Sequence, residues 1–167
     1  MSKYLLPLVF LVNFILIPVA SALGDDTSQP ISIESNAGFY DDKKGLNVYT
    51  GEVVIIQGSM RLDADKVVVY LEDREIQKMV ATGTPVKFQQ TPEEGKEAVH
   101  GNSLIAEYYP ETEVLIMMQK AVLWQGENST ASEKIVYDRI SEVLKAGDGK
   151  PTTRVRVVLQ PKTGAKN

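Results

Sequence analysis

The run Val-Tyr-Thr-Gly-Glu-Val-Val-Ile-Ile-Gln-Gly-Ser-Met-Arg-Leu-Asp-Ala-Asp-Lys-Val-Val-Val-Tyr, residues 48–70, decides the fold class. β-branched and aromatic residues dominate it, and Gly51 and Gly58 punctuate it. Met60, Leu62 and Ala64 alternate with Ser59, Arg61, Asp63 and Asp65, the two-residue period of a strand with one face buried and one wet.

The pattern returns later in the chain. A shift of 68 positions brings Tyr40 onto Tyr108, Val54 onto Val122, Gln57-Gly58 onto Gln125-Gly126, Lys66 onto Lys134 and Val68 onto Val136. Similar residues fill the gaps: Leu46 with Val114, Val48 with Ile116, Ile55 with Leu123, Val67 with Ile135. This is an internal duplication of a β unit.

Upstream, Lys3 precedes an uncharged apolar run from Tyr4 to Val19, and Ala20-Ser21-Ala22 places small residues where a signal peptidase inspects the chain. Residues 1–22 are therefore expected to be a cleaved signal peptide. The run is short for a membrane anchor, Pro7 and Pro18 interrupt it, and no basic cluster follows. Cleavage removes one charged residue, Lys3, and leaves 17 basic against 22 acidic residues, a charge of −5. That balance argues against nucleic acid, whose phosphates call for a basic face. An exported chain without cysteine must hold its fold by packing and backbone pairing.

Residues 23–29 are polar and aperiodic, a flexible leader. A single domain over 30–161 follows, then a polar tail over 162–167. Within the domain, Ile31-Ser32-Ile33-Glu34 reads as a first strand behind Pro30, Asp41 to Gly45 as a turn, and Glu72 to Glu75 as a second charged turn. Glu75 to Thr82 is a less regular strand, which Gly83-Thr84-Pro85 is expected to break before Val86 to Gln89. Gln90 to Lys96 is a hairpin loop, Leu104, Ala106 and Tyr108 alternate, and Glu113 to Trp124 reads as a strand pair. Arg154 to Leu159 is the last strand. No window keeps a 3.6-residue apolar stripe, so the fold is all-β, two facing antiparallel sheets.

Catalysis finds no support in these residues. His100 is the single histidine and there is no cysteine, so a zinc site or Cys/His pair cannot be assembled in the usual way. Ser59, Ser103 and Ser129 lack a nucleophile-elbow context, phosphate-binding glycine loops are absent, and Asp63 with Asp65 reads as a wet strand face. Trp124, Phe39, Phe88 and the tyrosines are spaced as strand residues with core packing as their default role. No enzyme activity, metal or cofactor is expected.

A set of segments carries a resemblance: Gln29 to Glu34; Tyr49-Thr50-Gly51-Glu52-Val53 with Gln57-Gly58; Ala64 to Val67; Gly83-Thr84-Pro85-Val86-Lys87-Phe88; Lys134 to Tyr137; and Val157 to Pro161. Together they resemble the OstA/LptA family of periplasmic lipopolysaccharide transport proteins, over nearly the whole mature chain. The second copy differs in having Met118-Gln119 where the first has Thr50-Gly51. The resemblance implies an open, twisted antiparallel β-jellyroll whose interior holds the acyl chains of lipopolysaccharide. It implies head-to-tail stacking that bridges an LptC-like inner-membrane component and the outer-membrane translocon LptD. Carried over by motif, the lipid-binding positions are Thr27, Ile31 and Ile33 near the amino-terminal edge and Phe88 after the Gly-x-Pro turn. Lys87, Arg154 and Arg156 are candidates to meet the lipid's phosphates.

Edge logic points the same way. An open roll leaves unpaired amides and carbonyls on its first and last strands, and a contact between such different edges grows filaments. The competing reading is a structural or adhesive β-sandwich with a closed core and no lipid.

Overall fold

The computed structural model describes residues 26–91, 97–151 and 153–161. A turn of 3-10 helix at Asp26–Ser28 leads into ten strands: β1 Ser32–Glu34, β2 Ala37–Asp41, β3 Leu46–Gln57, β4 Met60–Glu72, β5 Glu75–Gln90, β6 Val99–Tyr109, β7 Val114–Gln125, β8 Asn128–Asp138, β9 Val143–Ala146 and β10 Arg156–Val158. All join one antiparallel sheet in the order β1-β3-β4-β5-β6-β7-β8-β10. β2 lies on the first half of β3 while β1 lies on its second half, and β10 and β9 divide β8 in the same way.

Six long strands could not stay flat and bury one face. A regular strand of 11 residues such as β8 spans about 36 Å. Yet Arg139, just past the end of β8, touches Gln90 and Met60 at the opposite ends of their strands. The sheet is therefore folded over on itself. The fold line is visible in the pairing, because the register jumps in mid-strand between Thr50 and Val53, Asp63 and Lys66, Thr82 and Val86, Asn102 and Ile105, and Met118 and Ala121. These bulges bend each strand and increase its twist. The two expected facing sheets are thus the two halves of one.

The bulges also reverse the alternation. In β4 the buried set is Met60, Leu62 and Ala64, then Val67 and Val69; in β5 it is Met79 and Ala81, then Val86 and Phe88. Without a bulge, the second half of each strand would aim its apolar residues at solvent. With it, both halves face one interior.

The duplication is written into the backbone. Left-handed φ values recur 68 residues apart: Gly45 (59°) with Glu113 (52°), Gly51 (80°) with Gln119 (63°), Glu52 (48°) with Lys120 (56°), Gly58 (57°) with Gly126 (56°), and Arg74 (69°) with Glu142 (55°). Met118-Gln119 thus makes the same bulge as Thr50-Gly51 without its glycine.

Four expectations are corrected. Gly83-Thr84-Pro85, with a cis Thr84–Pro85 bond, is a bulge inside the continuous strand β5 and not a break. Glu113 to Trp124 is not a strand pair but the start of one strand, β7, which runs on to Gln125. β2 and β9 have no counterpart in the sequence reading. Phe39 and Tyr40 lie on β2 at 60% exposure each, and Tyr70 is 39% exposed, so these rings are not core; among the described residues β2 pairs with β3 alone and its other edge is unpaired. In addition, the described end of the leader is a docked turn, held by the Asp26 carboxylate. The segments 1–22 and 162–167, and most of the loop after Gln90, lie outside the described residues.

Candidate functional site

The interior between the sheet halves is the candidate site. β3 to β8 supply it with aliphatic, methionine and aromatic side chains, including Ile55, Met60, Leu62, Met79, Tyr108 and Leu115, which line a cavity of about 10 Å³. That is room for about one water molecule, so protein side chains fill this part of the interior. Met60, Met79 and Met117 are each 3% exposed or less. Unbranched thioethers of this kind can repack around a guest.

Of the residues carried over from the resemblance, Ile31 and Ile33 are half-buried and pack on the edge of the core, and Ile33 is opposite Ile55 in the β1–β3 register. Phe88 is 2% exposed, set between Leu62 on β4 and Gly101 on β6. The Gly101 position has no space for a Cβ, which would lie 2.6 Å from the Met117 methyl. The side chain of Thr27 lies outside the described residues.

The sequence reading passed over a polar cluster where the strand ends of the two halves meet. Its centre is Arg139, with a side chain only 3% exposed. Its Nε donates to Gln90 Oε1 (3.1 Å), Nη1 to the Tyr108 hydroxyl (2.9 Å) and Nη2 to Asp26 Oδ2 (3.1 Å). The Glu113 carboxylate stands 3.8 Å away. Asp26 also accepts from the Ser59 amide (2.7 Å), the Ser59 hydroxyl (2.6 Å) and Gln90 Nε2 (3.0 Å). Burial raises the Asp26 pKa, but the Ser59 and Gln90 hydrogen bonds and the Arg139 charge outweigh it and leave the group below its ordinary value. Burial drives the Tyr108 hydroxyl upward. No periodicity marks Arg139, which follows the last residue of a strand; only its placement on the repeat, opposite Leu71, could have singled it out.

Asp63 and Asp65 are each engaged by a different neighbour. Asp63 is bound to Arg61 (Nε to Oδ2, 3.0 Å), and Asp65 Oδ2 accepts from the Thr84 amide and hydroxyl at 3.0 and 3.1 Å. Lys87 is exposed on β5 beside them, and Arg156 is exposed on β10. His100 is exposed on β6 and stacks on Trp124, ring centres 5.1 Å apart.

The two ends of the sheet are apolar as well as open. Phe39 and Tyr40 on β2 are each 60% exposed, and at the far end Val157 is 53% and Leu159 75% exposed. Among the described residues, β1 and β10 each pair on one side only.

An all-β sheet folded at a line of bulges is a distinctive architecture, and comparison with known proteins agrees with it. Residues 32–143 match the family described as LptA/(LptD N-terminal domain) LPS transport protein. The chain belongs to this family. Among curated members of the LptA family, it is similar to the lipopolysaccharide export system protein LptH of Pseudomonas aeruginosa, 31% identical over 96% of this chain and 97% of that protein. It is also similar to LptA of Haemophilus influenzae, 36% identical over 92% of this chain and 91% of that one. A crystal structure of LptH, the LptA-homologous periplasmic component of the lipopolysaccharide transport device of Pseudomonas aeruginosa, superimposes with a TM-score of 0.75 and 30% identity, covering 81% of this chain and 99% of that one. The jellyroll of the LptA family is thus the fold of this chain, and a transport component is favoured over an inert adhesive module.

Proposed function

We propose that this protein carries lipopolysaccharide across the periplasm toward outer-membrane assembly, with the acyl chains held between the two halves of the folded sheet. The observation that carries the reading is an apolar interior between the halves of a sheet whose first and last strands are unpaired on their outer sides, in a chain of this transport family. A methylene moved out of water is worth about 0.8 kcal/mol, so a dozen-carbon chain costs on the order of 10 kcal/mol to expose. A lipid with several such chains needs a sheltered route. Because the interior around the small cavity is filled, the halves must part for a guest, and the methionines offer soft contacts for the exchange. Ile31, Ile33, Phe88 and Thr27 are the proposed lipid-contacting positions, with Thr27 and the isoleucines at the amino-terminal end of the route.

The edges supply the assembly. Copies would stack head to tail, the β1/β2 end of one on the β9/β10 end of the next. The terminal faces would dock an LptC-like component on the inner-membrane side and LptD on the outer. Pro30 and Pro161 flank these strands and limit the pairing.

The test is photo-crosslinking in cells from Ile33 and Phe88, with solvent-facing Lys44, whose side chain is 76% exposed, as control. Lipopolysaccharide adducts at the first two and not at Lys44 are expected. Absence of lipid at both interior positions overturns the carrier reading.

A further inference from the structure

We propose that the Asp26 turn is a latch across the seam of the folded sheet, and that its release from Arg139 opens the lips between which a guest enters the interior. The proposal takes from the carrier reading only that the interior admits a guest.

Two rows of strand ends meet at this seam. One contains Gln57, Ser59, Met60, Gln90 and Val99; the other contains Tyr108, Glu113 and Asp138 with Arg139. Asp26 belongs to neither. It precedes β1, comes from the leader, and binds both rows with one carboxylate: Ser59 and Gln90 on the first, Arg139 on the second. Two links join the rows directly: Arg139 Nε donates to Gln90 Oε1 at 3.1 Å, between two residues that Asp26 also holds, and the Tyr108 hydroxyl meets Gln57 Oε1 at 3.5 Å. The leader is further tied to the first row by Gln57 Nε2 donating to the Gln29 carbonyl, 3.3 Å.

Three properties suit a latch better than a fixed strut. All the latch contacts converge on one side-chain carboxylate, and among the described residues no sheet ladder crosses the seam, so parting the lips breaks no strand pairing. The Asp26 turn is three residues long and lies outside the sheet, so it can leave without unravelling a strand. Arg139 is not orphaned when Asp26 departs, since Glu113 stands 3.8 Å from Nη1 and belongs to its own row. A carboxylate on each side of one guanidinium gives it a partner in both the closed and the open arrangement. Directly behind the latch, Met60 Sδ lies 3.8 Å from Arg139 Nη1, and Met60 and Tyr108 line the interior cavity. The polar closure therefore sits at the mouth of the apolar space.

The absence of cysteine allows a direct test without lipid. Val99→Cys places a thiol at the lip, at a position 2% exposed, and Val67→Cys places one beside the fold line, at a position 0% exposed. Labelling by a small charged methanethiosulfonate reagent then reports opening at each place. Asp26→Ala should speed labelling of the Val99→Cys protein by about tenfold, the least that loss of a charge-assisted hydrogen bond implies, and leave the Val67→Cys protein unchanged. Arg139→Leu should act in the same direction. If it does not fold, Asp26→Ala, made in a peripheral turn, carries the test. No acceleration at position 99 overturns the latch. Equal acceleration at both positions shows a loss of global stability and overturns it too. The readout contains no lipid, so its failure leaves the carrier reading standing, whereas absent lipid adducts at Ile33 and Phe88 would sink that reading whatever the thiols show.

Discussion

Ile33 and Ile55 are register partners on neighbouring strands, and the same substitution should be tolerated at the first and unfold the protein at the second. Ile33 is half-buried on the edge strand β1, whereas Ile55 is 2% exposed and lines the interior cavity. A fully buried isoleucine is worth about 1.5–3 kcal/mol, so Ile33→Asp forfeits about half of that, roughly 1 kcal/mol, and the new carboxylate can turn outward to water. For a domain of this size that lowers Tm by roughly 2–4 °C. Ile55→Asp puts a charge into a space of about 10 Å³ without a partner. Removing the isoleucine costs about 2–5 kcal/mol, and burying the unpaired group adds several more, enough to consume a typical total stability of 5–15 kcal/mol. Thermal unfolding followed by far-ultraviolet circular dichroism measures both. The functional half is read by crosslinking from Phe88: Ile33→Asp should stay folded while lipopolysaccharide adducts fall, because the charge lies on the apolar route at the amino-terminal end. If Ile33→Asp unfolds the protein as Ile55→Asp does, β1 is part of a sealed core and the route does not pass there. If it melts normally and lipid adducts are undiminished, Ile33 is not on the route.

Other perturbations have equally definite outcomes. Gln119→Gly should raise Tm by a few degrees, since a non-glycine residue in the left-handed region costs on the order of 1 kcal/mol and Gln119 sits at φ 63°; the reciprocal Gly51→Ala should lower Tm, as its Cβ would meet Asn36 Nδ2 at 2.8 Å. The Asp26 pKa is lowered on folding, so its contribution is present above the ordinary value of 3.8 and is lost as pH falls through the lower folded value. Asp26→Asn should therefore flatten the acid limb of a stability-versus-pH curve and leave the neutral-to-alkaline limb alone, as measured by urea unfolding at a series of pH values. Cysteines at the exposed Ser32 of β1 and Val157 of β10 should crosslink between copies into a ladder of oligomers, and a single closed dimer band would count against head-to-tail stacking.

The long central strands were legible because their signal is local and repeated. The alternation in Met60 to Ala64 and the shift of 68 residues each survive in the fold. What the alternation hid was its own phase change. Gly83-Thr84-Pro85 looked like a terminator because glycine and proline usually end strands, but here the strands on both sides hold β5 through an irregular stretch. β2 is short and exposed, with no buried face to impose a pattern, and β9 has only four residues, of which Leu144 and Ala146 rest against the core. Arg139 was invisible for a different reason: its partners are 31, 49 and 113 residues away in sequence, so only the folded sheet brings them together.

That distance explains why the seam rather than the ladder is the place where this architecture can move. Between neighbouring strands the backbone is paired along runs of up to 11 registered positions, as between β4 and β5, and parting any such pair breaks many hydrogen bonds at once. Across the seam the two halves share only side-chain contacts and the apolar packing behind them. A guest chain restores apolar contact as it displaces that packing, so the exchange of protein methionine for lipid methylene is close to balanced, while the polar cluster at the lips has nothing in an acyl chain to replace it. The barrier to entry thus concentrates in Asp26 and its partners, and the stability of the fold resides elsewhere, in the strand pairing that entry leaves intact.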